Sequence, residues 1–145
     1  MFIPEIEKKS TLEIKKYQES RLLELLTYVK EKSTFYAGLF SKNSIKIEKI
    51  KTLEDLSKIP VTTKNDLQKH NDDFLCVPKS KVTDFITTSG TMGEPVTFAM
   101  TNNDLDRLAY NEQISFSCAD TTSEDIFQLM VTMDKRFMAG LAYFL

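Results

Sequence analysis

The apolar positions in the first third of the chain follow the period of an amphipathic helix. The predicted buried face recurs at intervals of three and four residues, at Leu22, Leu25, Leu26 and Val29. Ser10 precedes this pattern, and Glu13 comes three residues after Ser10. This spacing of serine and glutamate is that of a capping box. The chain is therefore predicted to form a long helix from Ser10 to Lys32.

Shorter helical segments are predicted in the rest of the first half. Residues 33–40, STFYAGLF, are expected to form one or two helical turns. A brief extended piece follows, and then a short helix that begins near Thr52 and ends before Pro60, because the residue before a proline avoids the helical conformation. Thr62 or Thr63 is predicted to cap another short helix, KNDLQKH. The first half therefore carries little sheet signal.

Alternating apolar and polar residues occur mainly after Pro78. The predicted order is a strand at 81–88, a glycine-containing loop, a strand at 95–100, a helix from about 103 to 118, a buried strand at 125–133 and a helix at 135–145. Thr101 or Asn102 is predicted to cap the first of these helices. This order indicates an α/β fold. We therefore predict a helical region at residues 1–78 and the first part of a layered β/α domain at residues 79–145.

Composition narrows the function classes without identifying one. The 145 residues are 41% hydrophobic and 28% charged, with a net charge of −2, as is typical of a folded globular protein. Lysines are spread along the chain and form no basic stripe, so we predict no nucleic-acid partner. No apolar run approaches the roughly 20 residues that a membrane-spanning helix needs, and the N-terminus lacks the pattern of a secretion signal. We expect a cytoplasmic protein without membrane association.

The cysteines and the histidine do not form a metal-binding pattern. Cys76 and Cys118 are far apart in the sequence, and His70 is the single histidine, so neither a zinc site nor any other metal ligand is predicted. Cys118 is expected to be a small packed residue at a helix end. His70 is expected to lie on the surface near a helix C-terminus.

The segment ITTSGTMGEPVTF, residues 86–98, contains two of the four glycines in the chain. Gly90 and Gly93 allow backbone angles that other residues avoid, and a loop with such angles can direct successive N–H groups at one anion. Thr87, Thr88, Ser89 and Thr91 surround the glycines with hydroxyl groups. The pattern lacks the lysine of a P-loop and the spacing of a dinucleotide-binding loop. From the residues alone, a phosphate-binding loop and a ligand-free β-hairpin turn stay equally open.

The segment also resembles a known family signature. TTSGTMGEPV, residues 87–96, resembles the [ST]SGTTGxP motif of the adenylate-forming enzymes, which include acyl-CoA synthetases and luciferases. The flanking sequences LEDLSKIPVTTKNDLQ and LLTYVKEKSTFYAGLF are similar to the phenylacetate–CoA ligase branch. The resemblance covers nearly the whole chain. Two departures are Met92, where the motif has a second threonine, and Val96, where lysine is common.

The resemblance implies ATP-dependent activation of a small carboxylic acid, through an acyl-adenylate, and transfer to a thiol such as coenzyme A. It implies that Thr88, Ser89, Gly90, Thr91 and Gly93 bind the phosphates of ATP, with Mg²⁺ as the accompanying cation. These residues would position the phosphates and transfer no proton, and no catalytic residue is assigned in this chain. Glu94 is expected to be a solvated loop residue.

Length is the largest departure from the family. Enzymes of this kind run to several hundred residues, so the chain is expected to be an N-terminal portion that is inactive alone. The alternative is a non-catalytic relic, or a module that binds a nucleotide or a partner with the same sub-fold. The chain ends in the apolar sequence KRFMAGLAYFL, which favours a truncated protein. An incomplete sheet would leave apolar surface and strand edges exposed, so self-association is also expected.

Overall fold

The computed structural model of this protein describes residues 4–88, 94–131 and 138–145. The chain divides into two compact units, one formed by Pro4–Val77 and the other containing Pro78–Leu145. Each unit is described by itself below. The assignment of residues 1–78 and 79–145 as separate domains stays a prediction.

The first unit is built from helices and short helical turns. Its α-helices are α1 (Thr11–Lys32), α2 (Thr34–Lys42) and α3 (Lys64–Lys69), and its 3-10 turns are Glu5–Lys8, Ile47–Lys49, Leu53–Lys58 and Asn71–Phe74. The predicted capping box of α1 is present, with the Ser10 side chain accepting from the Glu13 N–H and the Glu13 carboxylate accepting from the Ser10 N–H. Thr63 caps α3 in the same way. The helix starts predicted at these two positions are confirmed.

The core of the first unit lies where α1 meets α2 and the turns that follow it. Its buried members are Leu22, Leu26, Phe40, Ile47 and Ile50, with Val29 packed against them. Leu25 was predicted on the same buried face, but its side chain is 55% exposed. Residues 22, 26 and 29 define the centre of the helix face, and Leu25 lies at its margin.

A buried hydroxyl joins α2 to the 71–74 turn. Ser33 is 1% exposed; its hydroxyl donates to the Asp73 carbonyl oxygen at 2.9 Å and accepts from the Tyr36 N–H at 3.3 Å. Beside it, the rings of Phe35 and Phe74 are stacked with centroids 4.0 Å apart. The Ser33 hydroxyl therefore both caps α2 and fixes the position of the 71–74 turn.

The second unit contains a β-hairpin and two helices. The strands are β1 (Asp84–Thr87) and β2 (Thr97–Met100), and the helices are α4 (Asn102–Ser117) and α5 (Met138–Phe144). The strands are antiparallel, with Asp84 opposite Met100 and Thr87 opposite Thr97. The strands predicted at 81–88 and 95–100 and both predicted helices are therefore present, and Thr101 caps α4. Residues 135–137 of the second predicted helix lie outside the described residues.

The buried strand predicted at 125–133 is wrong over its described part. Residues 125–131 contain no strand, and Ile126 and Met130 are 99% and 82% exposed. Residues 132 and 133 lie outside the described residues. A strand exists only when a neighbour pairs with its backbone groups, and no described strand other than β1 and β2 forms a sheet here.

No helix within the described ranges has the length and apolar character required to cross a membrane.

Candidate functional site

Residues 88–96 of the glycine segment connect the two strands of the hairpin, and hydrogen bonds between Thr88 and Val96 close the two ends of this connection. The Thr88 N–H donates to the Val96 carbonyl oxygen at 3.0 Å. The Val96 N–H donates in return to the hydroxyl oxygen of Thr88, also at 3.0 Å. In a regular antiparallel pair this second bond would go to the backbone carbonyl of Thr88. The side chain therefore completes the last step of the ladder, and the seven residues between are tied at both ends.

Buried apolar side chains fix the hairpin just below this closure. Ile86 is fully buried and Val96 is 3% exposed, and Ile86 lies opposite Phe98 across the strands. Phe85 points to the other face of the pleat and is 52% exposed. One face of the hairpin is thus anchored, so the two ends of the connecting segment have defined positions.

The opposite end of the hairpin leads into α4. The Thr83 N–H donates to the Met100 carbonyl oxygen at 2.8 Å, and the Thr83 hydroxyl donates to Asn102 Oδ1 at 2.9 Å. The first turn of α4 is occupied by its own capping box of Thr101 and Asp104. Because the four residues of β2 span roughly 13 Å, the N-terminus of α4 is distant from the Thr88–Val96 closure.

The structure describes one of the five predicted phosphate-binding residues. Thr88 is half-buried at the end of β1, and its hydroxyl, which accepts from Val96, retains its own proton for donation. Ser89, Gly90, Thr91 and Gly93 lie outside the described residues. The closure by Val96 was missed at the sequence level, although the threonine that begins the motif and the strand register together signal it.

The hairpin carries no basic side chain. No lysine or arginine occurs in the sequence between Lys81 and Arg107, whereas Asp84 and Glu94 lie on or beside the hairpin. Glu94 is exposed, as predicted. Among the described residues no group of three or more His, Cys, Asp or Glu side chains could hold a metal ion. An anion bound here would need backbone N–H groups, hydroxyls and a cation brought with it.

Two other residues considered from the sequence have clear positions. His70 ends α3 with an exposed side chain, and its Nδ1 lies 3.2 Å from Asp73 Oδ2. Cys118 ends α4 but is exposed, so the prediction of a packed thiol is wrong. Cys76 is the more enclosed of the two thiols, and burial raises its pKa. A raised pKa lowers the thiolate fraction at neutral pH, which does not favour a nucleophilic role for Cys76.

Sequence reasoning also missed a cleft of about 490 Å³ between α4 and α5. Phe116 lines it together with Phe127 and Tyr143, whose ring centroids lie 4.8 and 6.0 Å from that of Phe116. These ring contacts give Phe116 a packing role.

Comparison with known proteins shows that the chain is similar in sequence to phenylacetate–coenzyme A ligases. It is 36% identical over 106 residues to the phenylacetate–coenzyme A ligase of Thermus thermophilus and 33% identical over 105 residues to that of Escherichia coli. Each match covers 72% of this chain and 24% of the relative. No known family model matches the chain.

Solved structures of 2-hydroxyisobutyryl-CoA ligase give the same result for the fold. One, in the postadenylation state with 2-HIB-AMP, matches 91% of this chain and 28% of its own with a TM-score of 0.82 at 22% identity. Another, with 2-HIB-AMP and CoA, matches 77% of this chain and 26% of its own with a TM-score of 0.67 at 26% identity.

The fold therefore matches the corresponding part of the 2-hydroxyisobutyryl-CoA ligase structures, and the α/β prediction is confirmed. In sequence the chain is similar to phenylacetate–CoA ligases, as its motifs predicted. It spans about a quarter of the length of the relatives it matches.

Proposed function

We propose that this chain provides the phosphate-binding hairpin of an ATP-dependent, carboxylate-activating ligase. The observation that supports this most directly is the Thr88–Val96 closure. It fixes both ends of the segment that carries the family motif. The sequence similarity to coenzyme A ligases extends over 72% of the chain, so it includes much more than the motif.

The proposed reaction has two steps. A carboxylate oxygen of a small acid bonds to the α-phosphorus of ATP, and pyrophosphate leaves, which gives an acyl-adenylate. A thiol, proposed to be that of coenzyme A, then bonds to the acyl carbon, and AMP leaves. The 2-hydroxyisobutyryl-CoA ligase structure that holds both 2-HIB-AMP and CoA supports this order by analogy.

The proposed role of this chain in the first step is to hold the polyphosphate. Backbone N–H groups at Ser89, Gly90, Thr91 and Gly93, with the hydroxyls of the segment, would donate to the β- and γ-phosphates, and Thr88 would donate at the edge. Such donors stabilise charge without transferring a proton. Because the hairpin has acidic and no basic side chains, we propose that Mg²⁺ arrives bound to ATP. No described residue is assigned as its ligand.

A nucleotide-binding module without catalysis is the second candidate. Met92 is the reason to consider it, since a thioether replaces a hydroxyl donor that would stabilise phosphate charge during the reaction. Both candidates predict Mg·ATP binding, but only the first predicts bond exchange in the intact protein. We propose a cytoplasmic protein in either case and expect the 145-residue chain alone to be inactive. Self-association is proposed as well.

Calorimetric titration with Mg·ATP tests the site. The Gly90→Val, Gly93→Val variant should lose binding, because valine avoids the backbone angles that glycine allows. Gly38→Val is the matched control: a Cβ at Gly38 in α2 meets no atom within 4 Å, so binding should be retained. A well-folded wild-type chain that binds no Mg·ATP at millimolar concentration would reject the site. Pyrophosphate–ATP exchange with a set of carboxylic acids then separates the ligase from the module.

A further inference from the structure

We draw no further inference here: the strongest candidate, the apolar cleft of about 330 Å³ that α1, α2 and residues 56–62 line in the first unit, is open in a chain that spans about a quarter of the length of the relatives it matches, and nothing in the structure shows what covers it.

Discussion

The hydroxyl oxygen of Thr88 accepts a hydrogen bond from the buried N–H of Val96, 3.0 Å away. The N–H of Thr88 donates to the Val96 carbonyl oxygen at the same distance. A side chain thereby takes the place of a backbone carbonyl in the final step of the β1–β2 ladder. This makes Thr88, the first residue of the family motif, a structural element of the hairpin as well as a proposed ligand of the phosphates.

Thr88→Val should destabilise the second unit by about 1–3 kcal/mol. Valine has the shape of threonine but lacks the acceptor, so the Val96 N–H would be buried without this partner. Thr88→Ser keeps the hydroxyl and should retain most of the stability. Urea denaturation measures the effect, and the exchange rate of the Val96 amide locates it. Unchanged protection of that amide in Thr88→Val would show that the hydroxyl does not close the hairpin.

Ser33→Ala should destabilise the first unit by about 1–3 kcal/mol, because it removes the α2 cap and leaves the Asp73 carbonyl without its buried donor. Thermal and urea unfolding measure the loss. Ser41→Ala is the matched control, since Ser41 is exposed on the same helix and should change stability by less than about 0.5 kcal/mol. Equal effects of the two substitutions would contradict the assigned role of Ser33.

Gly38→Ala should stabilise the first unit by roughly 0.5–1 kcal/mol. Gly38 lies inside α2, and the added methyl group meets no atom within 4 Å, so the gain in helix propensity comes without a clash. Ala37→Gly in the same turn should act in the opposite direction. Denaturant unfolding of both variants provides the measurement, and a destabilised Gly38→Ala would refute the expectation.

Stability should fall in acid partly because of Asp55. Its carboxylate accepts hydrogen bonds from the Lys58 ammonium and from the N–H groups of Lys51 and Thr52, which hold the pKa of Asp55 well below its ordinary value. A carboxyl group with a lowered folded-state pKa contributes stability above its unfolded pKa of about 3.9, and that contribution is lost as the pH falls further.

Asp55→Asn should therefore reduce the loss of stability between about pH 5 and pH 2. Denaturation curves collected across this range measure it, with the wild type as reference. The difference in free energy of unfolding between the two proteins should be constant above about pH 5, where the carboxyl group is ionised in both states. Parallel curves through the whole acidic range would contradict the role assigned to Asp55.

Local sequence rules were sufficient to predict the helix starts and the two strands of the hairpin. Ser10 with Glu13, and Thr101 with Asp104, cap their helices through bonds that span three residues, so the sequence window that predicts them also contains every interacting group. The same is true of the two strands beside the glycines, because their connection is short and their apolar residues alternate. The motif and its flanks likewise identified the relatives without any structure.

Strand pairing and side-chain exposure depend on contacts between residues that are far apart in the sequence, so local rules did not predict them. Whether Ile126–Val131 is a strand depends on a partner for its backbone, and no described residue supplies one. The exposure of Leu25 and Cys118 likewise depends on what packs beside them, which their own neighbours in sequence do not specify. The sequence determined the caps, most of the elements and the family resemblance, because those follow from local hydrogen bonds and spacing. Tertiary structure decided burial, strand pairing and the Thr88–Val96 closure, because each requires residues that only the fold brings together.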